Sequence, residues 1–308
     1  MPLEQEFLQY PMRRHGMDHD RYEWSNLFER SPIEWPGKKS MALLTVIPVE
    51  FFPLNPVGKP FKAPGSMITA YPDFRHYSTR DYGNRVGIYR FLKLFSKIGL
   101  KGSFAVNSQV AERYPGLISD IIADGHEIIA HGINMDTLHY GGLDEKTEAT
   151  QINTCINTIE AISKQTIKGW ISPAYSQSFN TPDLLSAAGI EYCGDWANDD
   201  LPYTMRTKNG ELINIPVAQE ISDRQIITNN HHTEESYVQQ LKDQYELLQD
   251  ESSRFGGRMM SITIHPYIMG LPYRINALKE ILEWFMQSST TWSATSGEIV
   301  TAFNKSKK

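Results

Sequence analysis

The chain has 308 residues, a formal net charge of −6, a 40% hydrophobic share and 21% charged residues. The negative balance argues against nucleic acid as a partner, because phosphate binding needs a basic face, and no run of about 18 apolar residues offers a membrane span. Two cysteines, Cys155 and Cys193, make no disulfide framework, and a chain this long buries roughly three quarters of its unfolded surface without one.

Met1 to Asp20 is polar and mixed in charge, with no apolar core of a signal peptide, so the expected location is the cytoplasm. Residues 1–40, with Tyr22, Trp24, Phe28 and Trp35, read as an extension packed on a single catalytic domain whose barrel spans 41–300. Met41–Ile47 is a short apolar run with β-branched members, the pattern of a strand buried on both faces. Residues 51–80 hold five prolines and two glycines and are expected to form a long functional loop. From Val86 to Ile98 apolar residues recur at helical spacing against Arg90, Lys93 and Lys97, with Val86 and Tyr89 on the apolar face and Gly99 as the stop.

Further strands are predicted at Gly102–Asn107, Glu127–Ala130, Thr166–Ile171, Tyr192–Trp196, Ile213–Pro216 and Met259–Ile264. Helices are predicted at Tyr114–Ala123, Glu145–Lys164, Pro182–Ala188, Glu234–Gln249 and Ile275–Met286. Alternating β and α units imply a parallel sheet, and their number favours a closed or nearly closed (β/α) barrel of about seven parallel strands.

In such folds the active site lies beyond the C-terminal strand ends. Glu50 follows the first strand; His131, Gly132 and Asn134 follow the third; Ser172, Pro173 and Tyr175 follow the fourth. Asp195, Asp199 and Asp200 follow the fifth, and His265 the last. Each has a plain structural reading beside the functional one. Glu50 is also a solvated loop carboxylate, His131 a core histidine, the aspartates helix caps, and Trp170 a packing residue. Their joint placement on one rim argues for a site.

At these residues the chain resembles the polysaccharide deacetylases, the NodB-homology or carbohydrate esterase family four proteins. Gly125-His-Glu-Ile-Ile-Ala-His131 is similar to their Gly-His-Glu-x-x-x-His segment. Tyr82–Arg90, Asp199-Asp-Leu-Pro-Tyr203 and Ile264-His-Pro-Tyr-Ile-Met-Gly-Leu-Pro-Tyr-Arg274 resemble their allantoinase-like branch. The resemblance covers about residues 30–300 and implies a distorted barrel that hydrolyses amide-type carbon–nitrogen bonds. It departs from the family where metal-dependent members carry Thr-Phe-Asp-Asp. There this chain has Thr45-Val-Ile-Pro-Val-Glu50, so Val49 stands for the base and Glu50 for a metal ligand. Met135 stands for the second histidine ligand, and the family's Arg-x-Pro arginine is replaced around Trp170-Ile-Ser-Pro173.

Amide hydrolysis needs an activated water and a proton for the leaving nitrogen, so Glu50 is expected as base or as the group orienting water, His131 as its partner or as a weak-metal ligand with it, and His265 as acid. Asp199 joins the catalytic set, with Asp195 or Asp200 as alternatives for orienting a histidine. Asn84, Arg85, Trp170, Ser172, Asp195 and Asp200 form the expected substrate-binding set. The expected reaction is metal-independent hydrolysis of a small cyclic or linear amide by a homo-oligomer, with no cofactor required. The alternatives are an N-deacetylase using zinc or another divalent metal at Glu50 and His131, with His139 as a further ligand, or a non-catalytic binder.

Overall fold

The computed structural model describes His19 and residues 21–307; about half of the predicted N-terminal extension, and all of the Met1–Asp20 segment except His19, lie outside them. Strand β1 (Met41–Val49) is buried along its whole length. It is followed by β2 (Ser103–Val106), β3 (Glu127–Ala130), β4 (Gly169–Trp170), β5 (Tyr192–Cys193), β6 (Tyr203–Thr207), β7 (Gly210–Asn214), β8 (Arg258–Thr263) and β9 (Thr291–Ala294). These make one sheet in the order β6-β7-β5-β4-β3-β2-β1-β8.

Every ladder is parallel except the β6–β7 hairpin. No ladder joins the β6 and β8 edges among the described residues, so the sheet curls into a half-barrel and does not close. Strands β6 and β9 were not expected.

β1 is the spine. It pairs with β8 along one edge, while its other edge is shared between β9, at Met41–Leu44, and β2, at Val46–Val49. Pro48 has no N–H to donate, which a central strand seldom tolerates. Here the β1–β8 ladder has ended at Val46–Thr263, so no bond is lost.

The 51–80 segment ends in a helix, α1 (Phe74–Tyr82), that sequence patterning does not show. None of its residues is buried, so it carries no apolar stripe to be seen. The helix predicted from Val86 begins instead as a π-helical turn at Gly83–Gly87 and becomes α2 at Ile88–Ile98. The wider turn shifts the phase of the helix. Ile88, Phe91, Leu92, Leu94 and Phe95 face the core, while Val86 and Tyr89 are exposed. Gly99 closes α2 in the left-handed conformation, as its sequence position predicts.

The remaining helices are α3 (Ser108–Arg113), α4 (Pro115–Ala123), α5 (Glu145–Ser163), α6 (Thr181–Ala187), α7 (Glu234–Phe255), α8 (Pro266–Met269), α9 (Ile275–Gln287) and α10 (Ser296–Ser306). None is long and apolar enough to cross a membrane. Within the described part of the extension, the Trp35 indole is buried and donates to the Arg258 carbonyl at 2.8 Å. Arg21 forms a buried ion pair with Asp183 at 2.7 Å.

One close approach bears on the site. The turn at Gly83–Gly87 lies against α8, the helix that follows His265, and a Cβ on Gly87 would collide with the Pro266 carbonyl. Gly87→Ala is therefore expected to lower the unfolding free energy by about 1–3 kcal/mol through overpacking. A reduced urea midpoint with an unchanged slope checks it.

Candidate active site

Glu50 sits at the C-terminal mouth of β1, and its backbone is pinned from both sides. The Asn84 amide donates to the Glu50 carbonyl at 3.0 Å. Asn107, at the end of β2, accepts the Phe51 N–H at 2.8 Å and donates through its amide to the His131 carbonyl. Two neighbouring strand ends are thereby locked in register.

The Glu50 side chain is buried, and both of its oxygens accept from Arg224 Nη2, at 3.0 and 2.7 Å. Arg224 also donates to the Tyr267 hydroxyl, from Nη2 at 2.7 Å and Nε at 3.1 Å. Burial works to raise the Glu50 pKa, but the Arg224 guanidinium, followed by His265 and His131, outweighs it and holds the carboxyl below its ordinary value.

His131 follows β3. Its Nδ1 lies 2.7 Å from the Ile171 carbonyl, an acceptor only, so Nδ1 carries the proton and Nε2 is the nitrogen available to the cavity. Burial lowers the pKa of this ring despite the opposing pull of Glu50. His265 follows β8. Its Nδ1 contacts Asp223 Oδ1 at 2.6 Å, and the other Asp223 oxygen accepts the His265 backbone N–H at 2.7 Å. Asp223 is fully buried, so it fixes both the position and the tautomer of the ring.

Glu50, His131, Arg224 and His265 line one cavity of about 150 Å³. Its floor is apolar, from Val46, Pro48, Ala105 and Ile171, and its rim is polar, with Tyr175, Gln219 and Asn229. A cavity of this size holds about one benzene-sized ring.

The other expected residues are placed elsewhere. Asn84 supports the Glu50 backbone and does not line the cavity. Arg85 is exposed, 3.9 Å from Asp81. Trp170 is wholly buried, with its indole N–H on the Ser172 hydroxyl at 2.8 Å, so it offers no stacking face. Ser172 donates from its N–H and hydroxyl to Asp195 at 2.6 and 2.7 Å, a closed network away from the cavity lining. Asp199 is paired with Arg30 at 2.8 Å in a separate cleft with Tyr22 and Tyr203, and Asp200 is exposed.

The aspartate that holds a histidine is therefore Asp223, not Asp195, Asp199 or Asp200. Asp223 and Arg224 lie well beyond the end of β7, so the pattern of polar residues directly after each strand does not point to them.

The donor set does not fit the metal site that the resemblance implies. No group of three or more His, Cys, Asp or Glu side chains among the described residues is placed to hold a metal. Arg224 already meets both Glu50 oxygens, and a divalent cation would be repelled by it. Met135 is buried in an apolar cluster with Phe52, Ala63 and Leu138. His139 is buried 3.2 Å from Glu148.

Residues 71–193 match the model of the polysaccharide deacetylase family. That segment contains His131 but not Glu50, Asp223, Arg224 or His265. A Schizosaccharomyces pombe protein named "Putative polysaccharide deacetylase" is 24% identical over 242 residues, 73% of this chain and 74% of that one. The solved structure of a "probable Polysaccharide deacetylase" from Pseudomonas aeruginosa PAO1 matches with TM-score 0.80 and 26% identity, over 90% of this chain and 95% of the other. The structure of Puue allantoinase matches with TM-score 0.81 and 24% identity over 92% and 98%, a likeness of fold.

Removing Arg224 would leave Glu50 as an unpaired buried charge. Arg224→Met is expected to cost about 3–5 kcal/mol, with Glu50→Gln/Arg224→Met recovering part of it. The folded-state pKa of Glu50 lies below its unfolded value, so its contribution is complete above the unfolded pKa and is lost as pH falls through the folded one. In Arg224→Met the Glu50 pKa should move upward, read from the pH dependence of urea unfolding.

Proposed function

Because the chain is a polysaccharide-deacetylase-like hydrolase of carbon–nitrogen bonds, we propose that its substrate is a small cyclic or linear amide and that its chemistry needs no metal. The observation that carries this is the cavity itself. An ionised carboxylate bound by a guanidinium faces two imidazoles whose Nδ1 atoms are both engaged. The cavity's volume of about 150 Å³ suits a small ring.

Amide hydrolysis needs an activated water and a proton for the leaving nitrogen. Glu50, held below its usual pKa, is the weaker base of the pair and orients the water by accepting a hydrogen bond from it. His131 Nε2, a free lone pair on a neutral ring, takes the proton as the water oxygen bonds to the amide carbon. The Glu50 carboxylate stabilises the imidazolium that forms. His265, whose ring is held through Nδ1 by Asp223, gives its Nε2 proton to the nitrogen as the C–N bond breaks. The products are a carboxylic acid and an amine.

The test is turnover of a panel of small amides and ureides, including allantoin, hydantoin, acetamide and N-acetylglucosamine, followed by release of amine or ammonia. Glu50→Gln, His131→Ala, His265→Ala and Asp223→Asn should each lower kcat by about 10²–10⁴-fold on whichever compound responds. Full activity after dialysis against a chelator is expected. Loss on chelation with recovery on stoichiometric zinc would select the metal-dependent deacetylase, and silence across the panel would select a binding protein.

A further inference from the structure

We propose that the Tyr175 hydroxyl is the hydrogen-bond donor that meets the oxyanion of the tetrahedral intermediate, and that the turn at residues 172–177 is a strained mount that aims it. The proposal rests on the amide-hydrolase reading and assigns that reaction a residue it otherwise lacks.

Attack on an amide carbon moves negative charge onto the carbonyl oxygen, and a donor fixed in advance is the largest single help a site can give. Several of the other donors on the cavity wall are engaged. Arg224 uses Nη2 on Glu50 and both Nε and Nη2 on Tyr267. His131 uses Nδ1–H on Ile171, and the Ser222 hydroxyl donates to the Gln219 carbonyl. Gln225 and Asn229 hydrogen bond to each other. Tyr175 lines the same cavity from the opposite loop, beside Thr263 and facing the Glu50–Arg224 pair. Burial pushes its phenol up to about 12, so it remains a protonated donor across the working pH range.

The backbone beneath it is unusual. Ala174 (φ +58°, ψ +21°) and Tyr175 (φ +53°) are successive side-chain-bearing residues in the left-handed region. Such conformations persist only where the surroundings over-determine them, and they gather at functional sites. The surroundings do so here. Asp195 accepts the Ser172 N–H, the Ser172 hydroxyl and the Gln177 amide at 2.6–2.7 Å. The Tyr175 N–H returns to the Ser172 carbonyl at 2.8 Å. The Ser176 hydroxyl donates to the Pro173 carbonyl at 2.7 Å, and Gly132 leaves just enough room for the Pro173 ring. The Asp195–Ser172 network thus acts on the cavity through the turn it holds.

The experiment measures kcat and KM on the responsive amide for wild type, Tyr175→Phe and Tyr175→Ala, with thermal melting of each. Tyr175→Phe should melt like wild type and keep KM within a few fold while kcat falls about 10²–10³-fold, the loss expected for one oxyanion donor. Tyr175→Ala should be no slower than Tyr175→Phe. A wild-type kcat in Tyr175→Phe would overturn the oxyanion role and leave the hydrolase reading intact. So would a Tyr175→Ala far slower than Tyr175→Phe, which would mark a packing role. A wild-type enzyme silent on every amide would remove the hydrolase reading and this proposal with it.

Discussion

Taking a carboxylate out of water costs several kcal/mol unless a partner of opposite charge meets it. At the mouth of β1 that partner is Arg224, which donates to both Glu50 oxygens from a segment 174 residues away in the chain. The remaining site geometry is arranged around this pair. With Glu50 ionised, His131 has a negative neighbour to offset its burial, and the Tyr267 hydroxyl has a guanidinium to accept from. Without the guanidinium the same pocket would favour a neutral carboxyl, and the electrostatics of both histidines would change.

The backbone prepares the pair before any side chain acts. β1 is gripped by three strands, and its end is tied sideways to β2 and β3 through Asn107 and to the π-helical turn through Asn84. Glu50 and His131 are thus placed by parallel ladders whose spacing is fixed, while His265 is placed by β8 and by both oxygens of Asp223. Groups held on strand ends in this way keep their geometry better than groups on free loops.

The residues that depart from the metal-dependent pattern are packing residues. Val49 is part of the core, and Met135 fills an apolar cluster beneath the 51–73 loop. Neither leaves an unsatisfied place for a ligand. The positive charge at the centre of the site is supplied by Arg224, carried on a segment different from the one in which the family's arginine was sought.

The sequence by itself determined the alternation of strands and helices, the buried nature of β1, and the delivery of Glu50, His131 and His265 to one rim. These are local properties: the period of apolar residues and the first polar group after a strand are both written within a few positions. It could not show α1, which buries nothing, nor the phase shift of the π-helical turn, which depends on packing against α8. It could not choose among Asp195, Asp199 and Asp200, and the tertiary structure chose none of them. Asp223 reaches His265 across 42 residues, while Asp199 is drawn to Arg30 and Asp195 to Ser172. A charge's identity is local, but its partner is decided by which distant segment the fold brings within 3 Å. For that reason the rim of this site was legible beforehand, and its electrostatics were not.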